Sequence, residues 1–243
     1  MIPMTRDSIA LRGAGVVNIK QPKKGVRFTL DSLLLADFCR IRSRDWVLEP
    51  GAGTGIISLL LAKKFSQARF VADEVEPLAY RLLCSNIELN GLADRIVPVH
   101  RDLKLLSRSI SPNAFDVIIA NPPYTPFGAG RTSPSPERRI ARQDHAASLQ
   151  TWLNLHALLK NRGRYYLVFP AVRSAELITV LRKNSLEPKR LQWVHPYQDR
   201  PASLILIESV KSGRIGLDVL PPLIIHEQAG GCTEEMRKIY GME

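Results

Sequence analysis

Seven short apolar runs punctuate the chain, at residues 46–49, 69–73, 96–100, 115–120, 164–169, 190–194 and 203–207. Their length and their enrichment in β-branched side chains predict strands. Between most of them, residues 56–64, 77–89, 149–159 and 174–184 repeat their apolar positions at the spacing that covers one face of a helix. Strands alternating with helices predict an α/β fold, a mostly parallel sheet with helices on both faces. The last two strands are joined by residues 196–202 alone, too few for a helical crossover, so they are expected to pair as an antiparallel hairpin at the sheet edge. Pro77 suits a first helical turn, and Gly91 after Asn90 suits a left-handed helix end.

The chain has 243 residues, 45% of them hydrophobic, enough to bury about 75% of the unfolded surface in one core. No repeat or linker divides it, so residues 1–243 are expected to form a single domain, with residues 1–44 as a basic N-terminal extension packed on it. The longest apolar stretches, 33–36 and 56–62, fall far short of the ~18 residues of a membrane span, and Arg6, Asp7 and Arg12 interrupt the N-terminus. Neither an anchor nor a signal peptide is expected, and the expected location is the cytoplasm. Cys39, Cys84 and Cys232 are odd in number, widely separated and away from any histidine at metal-ligand spacing, which predicts reduced thiols and no metal.

The formal charge of +11 changes the picture, because a basic surface concentrates polyanions around it. Nucleic acid becomes the leading class of partner, beside the plainer reading of a solvated basic surface. Lys20, Lys23, Lys24 and Arg27 follow one another with no acid between them. Residues 126–142 are rich in glycine, serine and proline and carry Arg131, Arg138, Arg139 and Arg142, the pattern of an irregular basic loop able to guide a nucleotide.

Two motifs carry candidate chemistry. The first strand runs into Glu49-Pro50-Gly51-Ala52-Gly53-Thr54-Gly55 at the start of a helix. There glycines let the backbone turn sharply and approach a ligand that a Cβ would exclude, so Gly51, Ala52, Gly53 and Gly55 are candidate cofactor contacts. Glu74, about 20 residues on and at the end of the next strand, is placed to accept bonds from ribose hydroxyls, with Asp73 and Glu76 as rivals. Asp102, after the third strand, is placed to accept from an adenine amine, or to cap the helix starting near Leu103. A dinucleotide is the rival ligand, but its glycines are spaced G-x-G-x-x-G, and Glu49 would repel a pyrophosphate. The same carboxylate can pair with the ammonium group of S-adenosylmethionine.

The second motif, Asn121-Pro122-Pro123-Tyr124, follows the fourth strand. An aromatic amine or amide is a poor nucleophile because its lone pair is delocalised. Accepting its two hydrogens, on the Asn121 side-chain oxygen and the Pro122 carbonyl, draws that pair back to nitrogen. The prolines, Pro122 and Pro123, stiffen the corner, and Tyr124 offers a face on which a planar group can stack. Methyl transfer to an exocyclic nitrogen is the reaction this pair of motifs predicts.

Residues Gly25-Val26-Arg27-Phe28-Thr29-Leu30-Asp31-Ser32-Leu33-Leu34-Leu35-Ala36, the glycine loop, Asn86-Ile87-Glu88-Leu89-Asn90-Gly91, the Asn121 corner and Ala141-Arg142 together resemble the bacterial tRNA(Val) adenine-N(6) methyltransferase family. Late segments around 158–164, 194–196, 221–223 and 239–241 extend the likeness over about the whole chain. The resemblance implies a Rossmann-like sheet of seven strands, S-adenosylmethionine as cofactor and an adenine of a valine tRNA anticodon loop as target. It also implies that Asp31 lies beside the cofactor's methionine end. The chain departs from the family pattern at Ala72-Asp73-Glu74, which leaves the ribose ligand open, and at Gln143-Asp144. Protein-glutamine methyltransferases share the Asn-Pro-Pro-Tyr corner but usually carry a sizeable helical N-terminal domain, whereas the segment here is short and basic. Methylation of adenine in another RNA or in DNA is a further rival reading, as is a nucleic-acid-binding module with a vestigial cofactor site.

Overall fold

The computed structural model describes residues 4–23, 27–123 and 149–242. An N-terminal hairpin, β1 (Met4–Leu11) and β2 (Gly15–Pro22), precedes α1 (Leu30–Phe38). Strands then alternate with helices: β3 (Trp46–Pro50), α2 (Ile56–Lys64), β4 (Arg69–Asp73), α3 (Pro77–Leu89), β5 (Ile96–Val99), α4 (Leu103–Ser109) and β6 (Phe115–Ala120). After α5 (Leu149–Leu153) come β7 (Leu159–Pro170), α6 (Ser174–Lys183), β8 (Leu186–His195), β9 (Leu204–Lys211), two short strands β10 (Asp218–Val219) and β11 (Leu223–Ile224), and α7 (Glu234–Ile239).

The seven predicted strands are β3 to β9, in the order β8-β9-β7-β6-β3-β4-β5. Strands β3 to β7 are mutually parallel, and β9 runs antiparallel to both β7 and β8. β10 and β11 pair in parallel with β8 and extend the sheet to nine strands among the described residues. Alternation along the strands sorts the core into two layers. Val47, Tyr166 and Val168 face one side, with α1, α2, α3 and the hairpin; Leu48, Tyr165 and Leu167 face the other, with α4, α5 and α6. Among the described residues no helix is long and apolar enough to cross a membrane.

Two segments differ from their expected form. The helix expected over 149–159 is α-helical only to Leu153, continues as a tighter turn over Asn154–Leu158 and gives way to β7 at Leu159. Lys160 to Gly163 belong to that strand but are polar and largely exposed apart from the glycine, which hides the strand's start from an apolar count. Residues 4–22, read as part of a basic extension, form a regular hairpin whose polar outer face breaks the strand signal.

α3 holds that hairpin by imitating a strand. Asn90 Oδ1 accepts the Asn18 amide at 3.0 Å while its Nδ2 donates to the Asn18 carbonyl at 2.7 Å. One turn earlier, Asn86 Oδ1 accepts the Lys20 amide at 2.7 Å and its Nδ2 donates to the Lys20 carbonyl at 3.0 Å. Residues four apart on a helix lie above one another, and residues two apart on a strand point their backbone groups the same way, so two side-chain amides cover one open strand edge. Asn86 Nδ2 also donates to the Thr54 carbonyl at 3.0 Å, which ties the hairpin to the glycine loop.

The α1 carbonyl end is gripped from the sheet. Arg190 donates to the Phe38 carbonyl, and Arg164 and the Tyr166 hydroxyl donate to the Arg40 carbonyl. Both arginines are buried and paired, Arg164 with Asp45 and Arg190 with Glu208. They satisfy carbonyls that the end of the helix leaves open.

Asn86→Ala leaves the Lys20 and Thr54 groups without their partner, and the variant is expected to lose about 2–4 kcal/mol of stability. Urea unfolding checks this, and a loss below about 0.5 kcal/mol would show that the asparagine is not what holds the hairpin.

Candidate active site

β3 lies between β4 and β6, with Leu48 paired to Val71 on one side and Ile118 on the other. The glycine loop, Glu74 and Asn121 therefore leave the sheet at the carboxyl ends of three adjacent parallel strands, where open α/β sheets form their crevices. A cavity of about 570 Å³ opens there. Residues 27–29, 31, 32, 49, 51–54, 56, 57, 73–75, 101–104, 121–123, 151 and 152 line it.

Glu49 is one of three buried acids of this cavity, with Asp73 and Glu74. Strand alternation puts Val47 and Glu49 on the face covered by α2, and Glu49 Oε2 accepts the Ser58 amide at 2.9 Å and the Ser58 hydroxyl. α2 begins at Gly55, which has no side chain to cap the first turn, so a carboxylate from the neighbouring strand takes the third amide instead. Burial raises the Glu49 carboxyl to about 7, with the charge of Glu74 adding to the rise and the two Ser58 donors opposing it.

The rival acids separate by their partners. Glu74 Oε2 accepts the Gly53 amide at 2.7 Å and Oε1 accepts the Glu76 amide at 2.8 Å, so this carboxylate latches the glycine loop to the end of β4. Glu76 caps α3, accepting from the Leu78 and Ala79 amides, and does not line the cavity. Asp73 does line it and is 1% exposed, and its Oδ1 has no hydrogen-bond partner. Burial pushes the Asp73 carboxyl to about 7, helped by Glu74. Asp102 caps α4 through the Lys104 amide at 2.7 Å and also lines the cavity.

The glycines divide in the same way. A Cβ on Gly51, whose φ is +61°, would lie 2.5 Å from Trp152 Cη2 at the cavity wall. Gly55 lies off the cavity, and a Cβ there would meet Leu83 Cδ1 at 2.5 Å, so its small size serves helix packing. Gly51, Ala52 and Gly53 face the cavity together with Asp31.

Across from them, Asn121 Nδ2 donates to Ser32 Oγ at 3.1 Å, and Pro122 and Pro123 continue the wall. Arg27 reaches the mouth, bonded to the Pro22 carbonyl and 3.6 Å from Asp7, whereas Lys23 is exposed and away from the cavity. Tyr124, Lys24, Arg131, Arg138, Arg139 and Arg142 lie outside the described residues, as do Gln143 and Asp144. Sequence reasoning missed Ser58, Trp152, Arg101, Lys104 and the part played by Ser32. Ser58 had a signal, since it is the one polar residue in the apolar run 56–62; Trp152 had none.

Comparisons with known proteins bear on the family and the fold. Residues 39–126 match the model of the TRM5/TYW2 methyltransferase domain. A tRNA1(Val) (adenine(37)-N6)-methyltransferase of Vibrio cholerae is 30% identical over 216 residues, 88% of this chain and 86% of the relative. Among solved structures, a predicted O-methyltransferase from Agrobacterium tumefaciens superimposes with a TM-score of 0.70 at 20% identity, over 88% of this chain and 96% of its own. Pyrococcus horikoshii TYW2 in complex with MeSAdo does so at 0.57 and 17% identity, over 81% of this chain and 69% of its own.

The titration of Glu49 has a testable sign. Its carboxyl holds a proton up to about pH 7 in the folded chain but loses it near 4.5 when exposed, so this group costs stability as pH rises through that window, and the full cost is present above 7. Glu49→Gln keeps an oxygen for Ser58 and removes the charge. Urea unfolding is expected to find the variant slightly more stable than wild type at pH 5 and more stable by about 3 kcal/mol at pH 8. A gap that stays constant between those pH values would refute the assignment.

Proposed function

The chain belongs to the tRNA1(Val) (adenine(37)-N6)-methyltransferase family, and on that premise we propose that it methylates the exocyclic nitrogen of an adenine in a valine tRNA, using S-adenosylmethionine. The observation that carries this reading is the meeting of two motifs in one cavity: the Glu49 glycine loop from β3 and the Asn121-Pro122 corner from β6. A cytoplasmic enzyme with an RNA partner follows from it, and the net charge of +11 suits a polyanionic substrate.

The residues present fit the cofactor. Gly51 leaves open a cradle that a side chain would fill, and Glu49 and Asp73 are buried carboxylates whose protons a cationic ligand would displace. The orphaned Asp73 Oδ1 is an acceptor able to take a ligand's donor. In this reading Glu49 and Asp31 hold the methionine end, Glu74 or Asp73 takes the ribose hydroxyls, and Asp102 accepts from the adenine amine. When bound, the cofactor supplies an electrophilic methyl group.

The chain's own residues do the rest. Asn121 Oδ1 and the Pro122 carbonyl accept the two hydrogens of the target amine, restoring the lone pair to nitrogen and aiming it at the methyl group. Tyr124 supplies the stacking face. The nitrogen becomes cationic as the new N–C bond forms, and it releases one proton to water without a strong base. A base in a folded RNA must leave its stack to reach this pocket, a step proposed for Lys23, Lys24 and Arg27 together with Arg131, Arg138, Arg139 and Arg142.

The test is incubation with methyl-labelled S-adenosylmethionine and unmodified total tRNA, with DNA and protein fractions in parallel, followed by nucleoside mass spectrometry. Label in N(6)-methyladenosine from tRNA is the expected result, and label in protein alone would replace it with the glutamine-amide reading. Asn121→Ala is expected to lower turnover by at least about 100-fold while cofactor affinity, measured by calorimetry, stays within about threefold. Full turnover in that variant would remove Asn121 from its assigned role.

A further inference from the structure

We propose that Ser32 is a positioning residue that restrains the Asn121 side chain, holding its amide in place for the target amine. This rests on the reading of Asn121 as the hydrogen acceptor. A side-chain amide has one accepting end and one donating end of nearly equal size, so the wrong orientation costs nothing sterically and presents a donor to a donor. A serine hydroxyl can pair with either end, so Ser32 restrains the amide's rotation and does not by itself choose the end. Ser32 Oγ accepts the Asn121 Nδ2 hydrogen at 3.1 Å and occupies the donating end, which leaves Oδ1 for the substrate.

The placement of Ser32 suits this role. It is 6% exposed and lies in the first turn of α1, where its own amide donates to the Thr29 carbonyl at 3.1 Å. The other end of α1 is held to β7 and β8, where Arg190 takes the Phe38 carbonyl and Arg164 and Tyr166 take the Arg40 carbonyl. A partner on so firmly held a helix locks the amide where bulk water, exchanging freely, would not.

Ser32→Ala removes the acceptor with little change of volume. In the tRNA assay its kcat is expected to fall about 10- to 100-fold. KM and cofactor affinity should change less than about threefold, because the lost interaction matters only when the target amine is engaged. Ser32→Thr, which keeps the oxygen, should recover most of the turnover. Equal kcat in wild type and Ser32→Ala overturns the inference, as does a loss confined to cofactor affinity.

An arm independent of activity separates this inference from the functional reading. In nitrogen-15 spectra the Asn121 side-chain NH2 pair, identified by its disappearance in Asn121→Ala, is expected to exchange slowly with solvent in wild type and Ser32→Thr and fast in Ser32→Ala. Unchanged exchange in Ser32→Ala refutes the lock whether or not the protein methylates adenine. A wild type that shows the protected pair but forms no N(6)-methyladenosine would overturn the substrate and leave the lock in place.

Discussion

A carboxylate buried at the end of β3 is the interaction on which the site depends. Glu49 stands where a helix begins without a capping side chain, and its bond to the Ser58 amide joins the strand to α2 across the glycine loop. The loop is thereby held at both ends, since Glu74 from β4 takes the Gly53 amide in the same way. Neither contact could be made by an apolar side chain, which has no oxygen to accept a backbone amide hydrogen. The same two carboxylates that shape the loop face the cavity it encloses, so the scaffold and the cavity wall are one arrangement.

The hairpin extends this logic outward. Its β2 edge would be an open row of donors and acceptors, and Asn86 and Asn90 close it from a helix. Because Asn86 also holds the Thr54 carbonyl, the hairpin, α3 and the glycine loop share one buried amide.

Much of this was legible in the sequence, and the limits have physical causes. The seven core strands are short apolar runs between helices, and apolar periodicity reports burial directly. The hairpin escaped because its outer face is polar and its edge is satisfied by side chains 66 and 72 residues away. At the site, Glu49, Glu74 and Asn121 stood out because their positions relative to strand ends are set by the backbone. Which acid caps a helix and which faces the cavity depends on side-chain direction, and that separated Glu76 from Asp73 only in three dimensions. Gly55 carried the same motif signal as Gly51, yet one is small for Leu83 and the other for Trp152 and the cavity.

The charge of the molecule and the charge of its cavity have opposite signs, and the difference of scale lets both operate. Surface cations act on a polyanion over about 8 Å, the screening length at physiological salt, and decide what approaches. Inside, Glu49 and Asp73 are each raised to about 7 by burial and by the neighbouring Glu74 charge, so the cavity by itself resists full ionisation. A positive charge placed beside them would favour their ionised forms. Two raised carboxyls side by side make a cavity whose electrostatics favour positive charge over negative without any change of shape.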